Sequence, residues 1–483
     1  VIVPKRCATC GPSHDRETLV KRDLFDAAQV MAGTLVGANV RFGAVSTDSR
    51  TLPAGALFVA LRGPNFDGGE FVAAAAARGA VGAVVEKAMA PVPPAAAGPT
   101  AAAVLPQIVV ADTLRALQQL SAAWRNEFAI PIVGVAGSNG KTTAKEMTAA
   151  ILSRRGTCMS TRGNLNNHIG VPLTLLRLDA TQHSAVVEMG ANRIGDVAEL
   201  AALVRPTVGL ITNAGAEHLE GFLSLDGVAQ GEGEMVAGLE STATAIINAD
   251  DAYANYWRGV ASTRRVVTFG VQSAADFGAK NVVQSIAKGE FQTTFTLVSP
   301  MGEREVAIKV GGAHNIVNAL AGAAAASAAG ATLDDIVAGL ADFRAVSGRL
   351  QLKAGLRGSW IIDDSYNANP SSVRAGLEVL RSLSGVTWLV LADMGELGEF
   401  AADSHAEMGS YARQCGVSRL FALGAQSTRA LETYGVGGEW FADADSLIRR
   451  VQAELAPGVT VLVKGSRVNK LERVVQALTG GTA

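Results

Sequence analysis

The run from Ile130 to Ala136 carries no charged or hydrogen-bonding side chain and reads as a buried strand. Lys141 to Arg155 then shows one polar and one apolar face at helical spacing and stops at Gly156, as an amphipathic helix does. Further apolar runs fall at about Ala185 to Val187, Val208 to Ile211 and Ala245 to Ile247, with helical segments between them. That alternation predicts a mainly parallel sheet covered by helices, whose functional residues gather at the carboxyl ends of the strands. Glu188, Thr212 and Asn248 fall at those ends. Beyond Phe343 the alternation restarts with Trp360 to Ile362, Trp388 to Leu391, Leu420 to Ala422 and Val459 to Val463, which predicts a separate Rossmann-like α/β domain. Ahead of both, a helical pattern from Leu24 to Met31 leads into strand-like segments.

These patterns divide the chain. Residues 23–106 form an expected N-terminal α/β domain, 107–345 a central domain opened by a strand at Ile108 to Val110 and a helix to about Phe128, and 346–483 the last domain. Residues 1–22 are polar, charged and aperiodic, and read as a disordered extension. The proline- and alanine-rich stretch Ala88 to Val104 has no periodic face and is expected to be a surface loop. The alanine- and glycine-rich run Ala321 to Ala331 suits a tightly packed helix.

A length of 483 residues allows about three domains of roughly 150 residues each. The net charge of -2, spread without blocks, gives no reason to expect nucleic acid or an anionic membrane as partner. No apolar run approaches the roughly 20 residues of a membrane span. A soluble monomer acting on small molecules is therefore expected. Four cysteines make no disulfide framework, which favours a reducing compartment. Cys7-x-x-Cys10 has no second pair at zinc spacing and no βαβ pattern around it.

Between the strand and the helix lies Gly134-Val-Ala-Gly-Ser-Asn-Gly-Lys-Thr-Thr143. Strand, glycine turn and helix are the context of a phosphate-binding loop. Backbone amides of Gly137, Ser138, Asn139 and Gly140 can approach phosphate oxygens, Lys141 supplies charge, and the hydroxyl of Thr142 or Thr143 can ligate Mg²⁺. The general pattern wants a further glycine where Val135 stands, so the loop is a variant.

Other constellations are less specific by themselves. Glu188 is either a metal ligand or an exposed strand-end carboxylate, and His218 in Thr212-Asn-Ala-Gly-Ala-Glu-His-Leu-Glu220 is either functional or structural. Asn164, Asn166 and Asn167 read as turn formers or as neutral partners for an amide-rich substrate. His314 and Asn315 head a long helix, where Asn315 could equally cap it. Ser49 and Arg50 suit a capped turn or an anion contact. Ile361-Ile-Asp-Asp-Ser-Tyr-Asn-Ala-Asn-Pro370 runs a strand into Asp364, Tyr366, Asn367 and Asn369 ahead of a helix-starting proline.

The variant loop, with the strings around Glu188, His218, His314 and Arg349, resembles the Mur ligases and their folylpolyglutamate synthetase relatives, enzymes that form amide bonds through an acyl phosphate. The resemblance covers about residues 23 to 479. It implies ATP and Mg²⁺, an N-terminal domain that binds a UDP-linked substrate near Ser49 and Arg50, and a central ATP domain. It further implies that Lys141 holds phosphates, that Glu188 and His218 hold metal, and that His314, Asn315, Arg349, Asp364 and Lys464 contact the nucleotide. The string Asp-Ser-Tyr-Asn-Ala-Asn-Pro resembles the branch that joins D-alanyl-D-alanine to UDP-N-acetylmuramoyl-tripeptide in cytoplasmic cell-wall precursor synthesis. Ala392-Asp-Met-Gly-Glu-Leu-Gly398, His405 and Val461-Leu-Val-Lys-Gly-Ser-Arg467 extend the match. The diaminopimelate- or lysine-adding ligases, folylpolyglutamate synthetase and a nucleotide-switched binding protein are the alternatives; an Asp-Asn-Pro-Arg motif expected of the first is absent.

One departure is informative. Where many family members carry a CO₂-modified lysine that serves as an anionic metal ligand, this sequence has Glu232, which would keep the charge without the modification, and Glu234 matches the family glutamate. Deleting residues 1 to 21 is expected to leave thermal midpoint and turnover unchanged, since that segment offers no apolar face to bury. A large loss in either measurement would restore a role to Cys7 and Cys10.

Overall fold

A computed structural model of the protein describes residues 23–63, 66–89, 105–287 and 289–481. The Cys7-x-x-Cys10 pair, the extension at residues 1–22 and residues 90 to 104 of the expected surface loop lie outside the described residues. The described chain forms two compact units.

The first unit contains the described residues up to Ala129 together with Pro172–Gln182. Its five-stranded sheet runs Thr34–Val36, Gln107–Val109, Gly82–Val85, Ala56–Val59, Ala44–Ser46, parallel except for the first pairing. Gln107–Val109 was expected to open the central domain, and this is corrected: its backbone pairs with Thr34–Val36 on one side and Gly82–Val85 on the other. Helix Thr113–Asn126 belongs to the same unit, with Asp112 capping Arg115 N at 2.9 Å. Trp124, buried in that helix, donates from Nε1 to Leu178 O at 2.9 Å, which ties the Pro172–Gln182 segment to this unit.

The second unit holds two six-stranded sheets. One, all parallel, runs Arg265–Phe269, Thr244–Asn248, Val208–Ile211, Ile132–Ala136, Ser184–Glu188, Cys158–Ser160. Strand Ile132–Ala136 lies in its interior, and successive crossovers leave toward opposite edges on its two sides, so a crevice opens at its carboxyl end. The alanine-rich segment forms helix Ala313–Ala328, in which Ala319, Ala321 and Ala323–Ala326 are buried. Small side chains let it pack closely on the loop helix Lys141–Leu152 and the sheet.

A three-stranded antiparallel sheet, Gly278–Ala287, Glu290–Ser299 and Gly302–Ile308, completes the core of this part and was not anticipated. Its signal was present: Phe291, Thr293 and Phe295 alternate inward with outward polar residues, and Gly289 and Gly302 sit in the turns at φ of 76° and 110°. The other six-stranded sheet runs Gln351–Ala354, Trp360–Asp364, Val459–Lys464, Val386–Ala392, Arg419–Leu423, Gly438–Phe441, parallel except for its first pair. The two outermost strands extend the four that were expected.

Helix Leu333–Asp342 packs on Lys141–Leu152 at Gly339, where a Cβ would lie 2.4 Å from Ile151 Cα. Backbone there cannot move aside cheaply. Gly339→Ala is expected to destabilise the protein by ~1–3 kcal/mol through overpacking, read as a thermal midpoint lowered by several degrees in a protein that still folds.

Candidate functional site

The phosphate loop is held by its neighbours before any ligand arrives. Gly137 has φ of 118°, and a Cβ there would lie 2.2 Å from Thr212 Oγ1; Gly140 has φ of 82°, and a Cβ there would lie 2.2 Å from Asn318 Oδ1. Both positions therefore need glycine for conformation and for space. Thr212 Oγ1 and Asn213 Nδ2 donate to Asn139 O at 2.7 and 2.9 Å, Asn213 Oδ1 accepts from Asn139 N at 3.0 Å, and Asn248 Nδ2 donates to Thr212 O at 2.9 Å. The strand-end residues Thr212 and Asn248 thus support the loop.

A cavity of about 630 Å³ opens above the loop between the two six-stranded sheets of the second unit. The loop contributes Ser138, Asn139, Gly140, Lys141, Thr142 and Thr143 to its wall, and the carboxyl end of Ser184–Glu188 contributes Glu188. Asn164, Asn166, Asn167, His218, His314 and Asn315 line it from the same half. Arg349, Asp364, Tyr366, Asn367, Asn369 and Lys464 line it from the other sheet. Residues far apart in sequence thereby meet in one site. Ser49 and Arg50 belong to the first unit: Ser49 is buried, and Arg50 projects into solvent with Nε and Nη2 each donating to Asp48 at 2.9 Å. That pairing holds the Asp48 carboxyl down at about 2.

Charge in the cavity is paired. Lys141 Nζ donates to Ser138 O at 3.0 Å and lies 3.5 Å from Glu217 Oε2. Burial works against its charge, but Glu217, Glu232 and Glu188 outweigh that and hold the ammonium above its ordinary range. Burial likewise works against the Glu217 carboxylate, and Lys141 and His218 hold it below its ordinary range. Lys464 Nζ donates to Asp364 Oδ2 at 2.5 Å and Asn367 O at 3.0 Å, and Asp364 Oδ1 accepts from Leu350 N at 3.2 Å. Arg349 Nη2 donates to Thr142 Oγ1 at 2.9 Å, while its guanidinium lies 4.5 Å from the centre of the Tyr366 ring. Burial pushes the His314 imidazole down to about 4, so at neutral pH it is uncharged.

The expected metal ligands separate into two groups. Thr142 Oγ1 donates to Glu188 Oε1 at 3.2 Å and Asn166 Nδ2 donates to the same oxygen at 3.0 Å. Glu188 Oε2 is buried with no hydrogen-bond partner, its nearest cation being Lys145 Nζ at 3.7 Å. An orphaned carboxylate oxygen beside a hydroxyl is a hard-oxygen pair that fits Mg²⁺.

The other two expected ligands are placed differently. His218 Nε2 lies 3.3 Å from Glu217 and Nδ1 lies 2.7 Å from Glu396, so both ring nitrogens are engaged. Glu232 is off the cavity wall: Gly137 N donates to its Oε2 at 2.6 Å from the underside of the loop, and burial pushes its carboxyl up to about 7. Glu232 thus engages the loop backbone through one of its two carboxyl oxygens. Among the described residues no three His, Cys, Asp or Glu side chains cluster as a metal site. Glu234 is also a capping group, accepting from Gly195 N at 2.7 Å and Ala198 N at 3.1 Å.

Two further expectations are refined. Asn369 lines the cavity but also caps helix Pro370–Arg381. His405 is fully buried, accepting from Met394 N at Nε2 (2.9 Å) with Nδ1 2.6 Å from Ala401 O, which makes it a structural neutral imidazole. Sequence reasoning assigned no role to Lys145, Asn318 or Glu396. Lys145 follows Lys141 by one helical turn onto the buried face, and Asn318 follows Asn315 by three residues, donating to its Oδ1 at 3.2 Å. The periodicity contained both.

Models of the Mur ligase family catalytic domain, the Mur ligase middle domain and the Mur ligase glutamate ligase domain match residues 41–125, 135–326 and 348–467 in turn. Over 463 residues the chain is 42% identical to the UDP-N-acetylmuramoyl-tripeptide--D-alanyl-D-alanine ligase of Escherichia coli (strain K12), covering 95% of this chain and 99% of that one. The chain belongs to the Mur ligase family. This Mur ligase is also 33% identical over 470 residues to the Bacillus subtilis (strain 168) protein of the same name, covering 95% and 99% of the two chains. Among solved structures it is similar to a crystal structure of MurF from Acinetobacter baumannii, with a TM-score of 0.86 at 32% identity, over 95% of this chain and 99% of that one. A MurF ligase from Thermotoga maritima in complex with ADP shares the fold, with a TM-score of 0.76 at 24% identity over 90% and 97% of the chains.

For this Mur ligase the contact between Glu232 and the loop backbone makes a direct prediction. Glu232→Ala leaves a buried Gly137 N–H without its partner, at a cost of ~1–3 kcal/mol. A raised KM for ATP with an unaltered Mg²⁺ titration midpoint is the expected outcome. A shift in the Mg²⁺ midpoint with the ATP KM unchanged would return Glu232 to the metal.

Proposed function

We propose that this ligase joins D-alanyl-D-alanine to the free carboxyl end of a UDP-N-acetylmuramoyl tripeptide, cleaving ATP to ADP and phosphate in peptidoglycan precursor synthesis. The observation that carries the reading is the pairing of a phosphate loop with cations and amides from a second sheet around one cavity, in a chain 42% identical to a relative of that activity. A carboxylate and a triphosphate are both anions, so a site that brings them together must supply positive charge where it is needed.

The roles follow from position. Lys141, with the loop amides, receives the terminal phosphates, and the Glu217 carboxylate favours its charged form. Neutral His314 and Asn315, at the start of a helix, suit the base of the nucleotide rather than its phosphates. Arg349 and Lys464 reach the reacting end from the other sheet, each aimed by a partner, Tyr366 and Asp364. Asn164, Asn166 and Asn167 offer neutral hydrogen-bonding groups to the peptide, as do Tyr366 and Asn367. Thr142, Thr143 and Glu188 would hold Mg²⁺, whose chemistry when bound is to neutralise phosphate charge. Ser49 and Arg50 are assigned to the UDP-linked end of the substrate. A cytoplasmic, monomeric enzyme fits these substrates, and no helix among the described residues is long and apolar enough to cross a membrane.

Phosphate release measured with D-alanyl-D-alanine, diaminopimelate, lysine and glutamate in turn tests the reading. Release that depends on D-alanyl-D-alanine is expected. Dependence on another amine would assign a different branch, and amine-independent release would favour a nucleotide switch. Lys141→Ala is expected to abolish release while keeping the fold, since transition-state charge stabilisation of this kind is worth several kcal/mol.

A further inference from the structure

A loop residue and a helix cap of the last sheet close a ring of three side chains. Asn369 Oδ1 accepts from Ser372 N at 2.8 Å and so caps helix Pro370–Arg381. That contact requires oxygen, so the amide nitrogen faces the loop and donates to Asn139 Oδ1 at 2.9 Å. Asn139 Nδ2 then donates to Ser371 Oγ at 2.9 Å, and Ser371 Oγ donates to Asn369 Oδ1 at 3.0 Å. One cap fixes the orientation of all three groups. Beneath the ring lies Gly215, where a Cβ would sit 2.9 Å from Asn139 Nδ2 and 3.4 Å from Ser371 Oγ. Gly215 is outside the positive-φ range, so it is the space, not the backbone conformation, that excludes a side chain there.

We infer that Asn139, Asn369 and Ser371 form a clasp that sets the register of the last sheet against the phosphate loop, with Ser371 a positioning residue for the reaction. The inference rests on the ligase reading above. Lys464 ends a strand of the clasped sheet and Arg349 lies just ahead of its strand Gln351–Ala354, reaching Thr142 across the same joint. Ser371 itself caps nothing, since the capping box of its helix uses Asn369 and Ser372. Without the Ser371 hydroxyl the loop keeps its supports from Thr212 and Asn213, so nucleotide still binds. The two sheets then meet in the productive register less of the time. Neutral hydrogen bonds are individually modest, which sets the expected loss in kcat at about five- to tenfold.

Wild type, Ser371→Ala, Ser371→Thr and Gly215→Ala are compared for ADP release with UDP-N-acetylmuramoyl tripeptide and D-alanyl-D-alanine, together with ATP KM and thermal midpoint. Ser371→Ala should lower kcat about five- to tenfold with ATP KM changed less than about twofold and the midpoint unmoved. Ser371→Thr, which keeps the hydroxyl, should restore kcat, and Gly215→Ala should lower it. The clasp is overturned by wild-type kcat in Ser371→Ala or Gly215→Ala, by a loss that tracks the midpoint or ATP KM, or by failure of Ser371→Thr to restore. Wild type that releases no ADP in the presence of the dipeptide would instead overturn the ligase reading, before any variant is compared.

Discussion

The absence of a Cβ at Gly137 and Gly140 is the constraint on which the site depends. Side-chain oxygens of Thr212 and Asn318 lie 2.2 Å from where those carbons would be, so loop, strand end and helix pack closely. Such contact lets Thr212, Asn213 and Glu232 satisfy loop backbone groups that a wider turn would leave to water. The upper face of the loop stays turned to the cavity. A phosphate site of this kind is formed by its second layer, because the amides that meet the ligand are aimed by the groups beneath them.

The same closeness explains the charge arrangement. A lysine buried near the loop would lose its proton or destabilise the fold without carboxylates nearby, and Glu217, Glu232 and Glu188 share that task. Glu217 is the one in ion-pair range, and it is itself shared with His218, which reaches Glu396 in the loop after strand Val386–Ala392. Lys141, Glu217, His218 and Glu396 therefore form a chain of side-chain contacts from the loop to the far side of the cavity. An arriving triphosphate competes with Glu217 for Lys141 and so acts on a contact that extends to the other sheet.

Much of this was legible in the sequence, for physical reasons. Buried parallel strands appear as apolar runs, so Ile132–Ala136, Ser184–Glu188, Val208–Ile211 and Trp360–Asp364 were located together with the strand-end residues that line or support the site. Edge strands such as Gln351–Ala354 and Gly438–Phe441 are half exposed and carry no such run. The strand Gln107–Val109 was recognised but joined to the wrong sheet, since its apolar pattern is the same whichever neighbours it pairs with. Glu232 was the hardest case. The family motif puts it at a ligand position, and the geometry turns one of its carboxyl oxygens to the Gly137 amide.

The joint between the two sheets uses few full charges where it touches the loop. Asn139, Asn369 and Ser371 are neutral, and Arg349 meets the loop through the Thr142 hydroxyl rather than a carboxylate. A neutral hydrogen bond contributes about 0.5–1.5 kcal/mol net, whereas a buried ion pair carries a desolvation cost of several kcal/mol per ion each time it is formed. Neutral contacts can therefore be made and broken within a catalytic cycle, and they leave the charge of the cavity available to ATP. Directional amide geometry supplies the register that charge alone would not, because a carboxylate accepts from a wide range of angles while three interlocked side chains admit one arrangement.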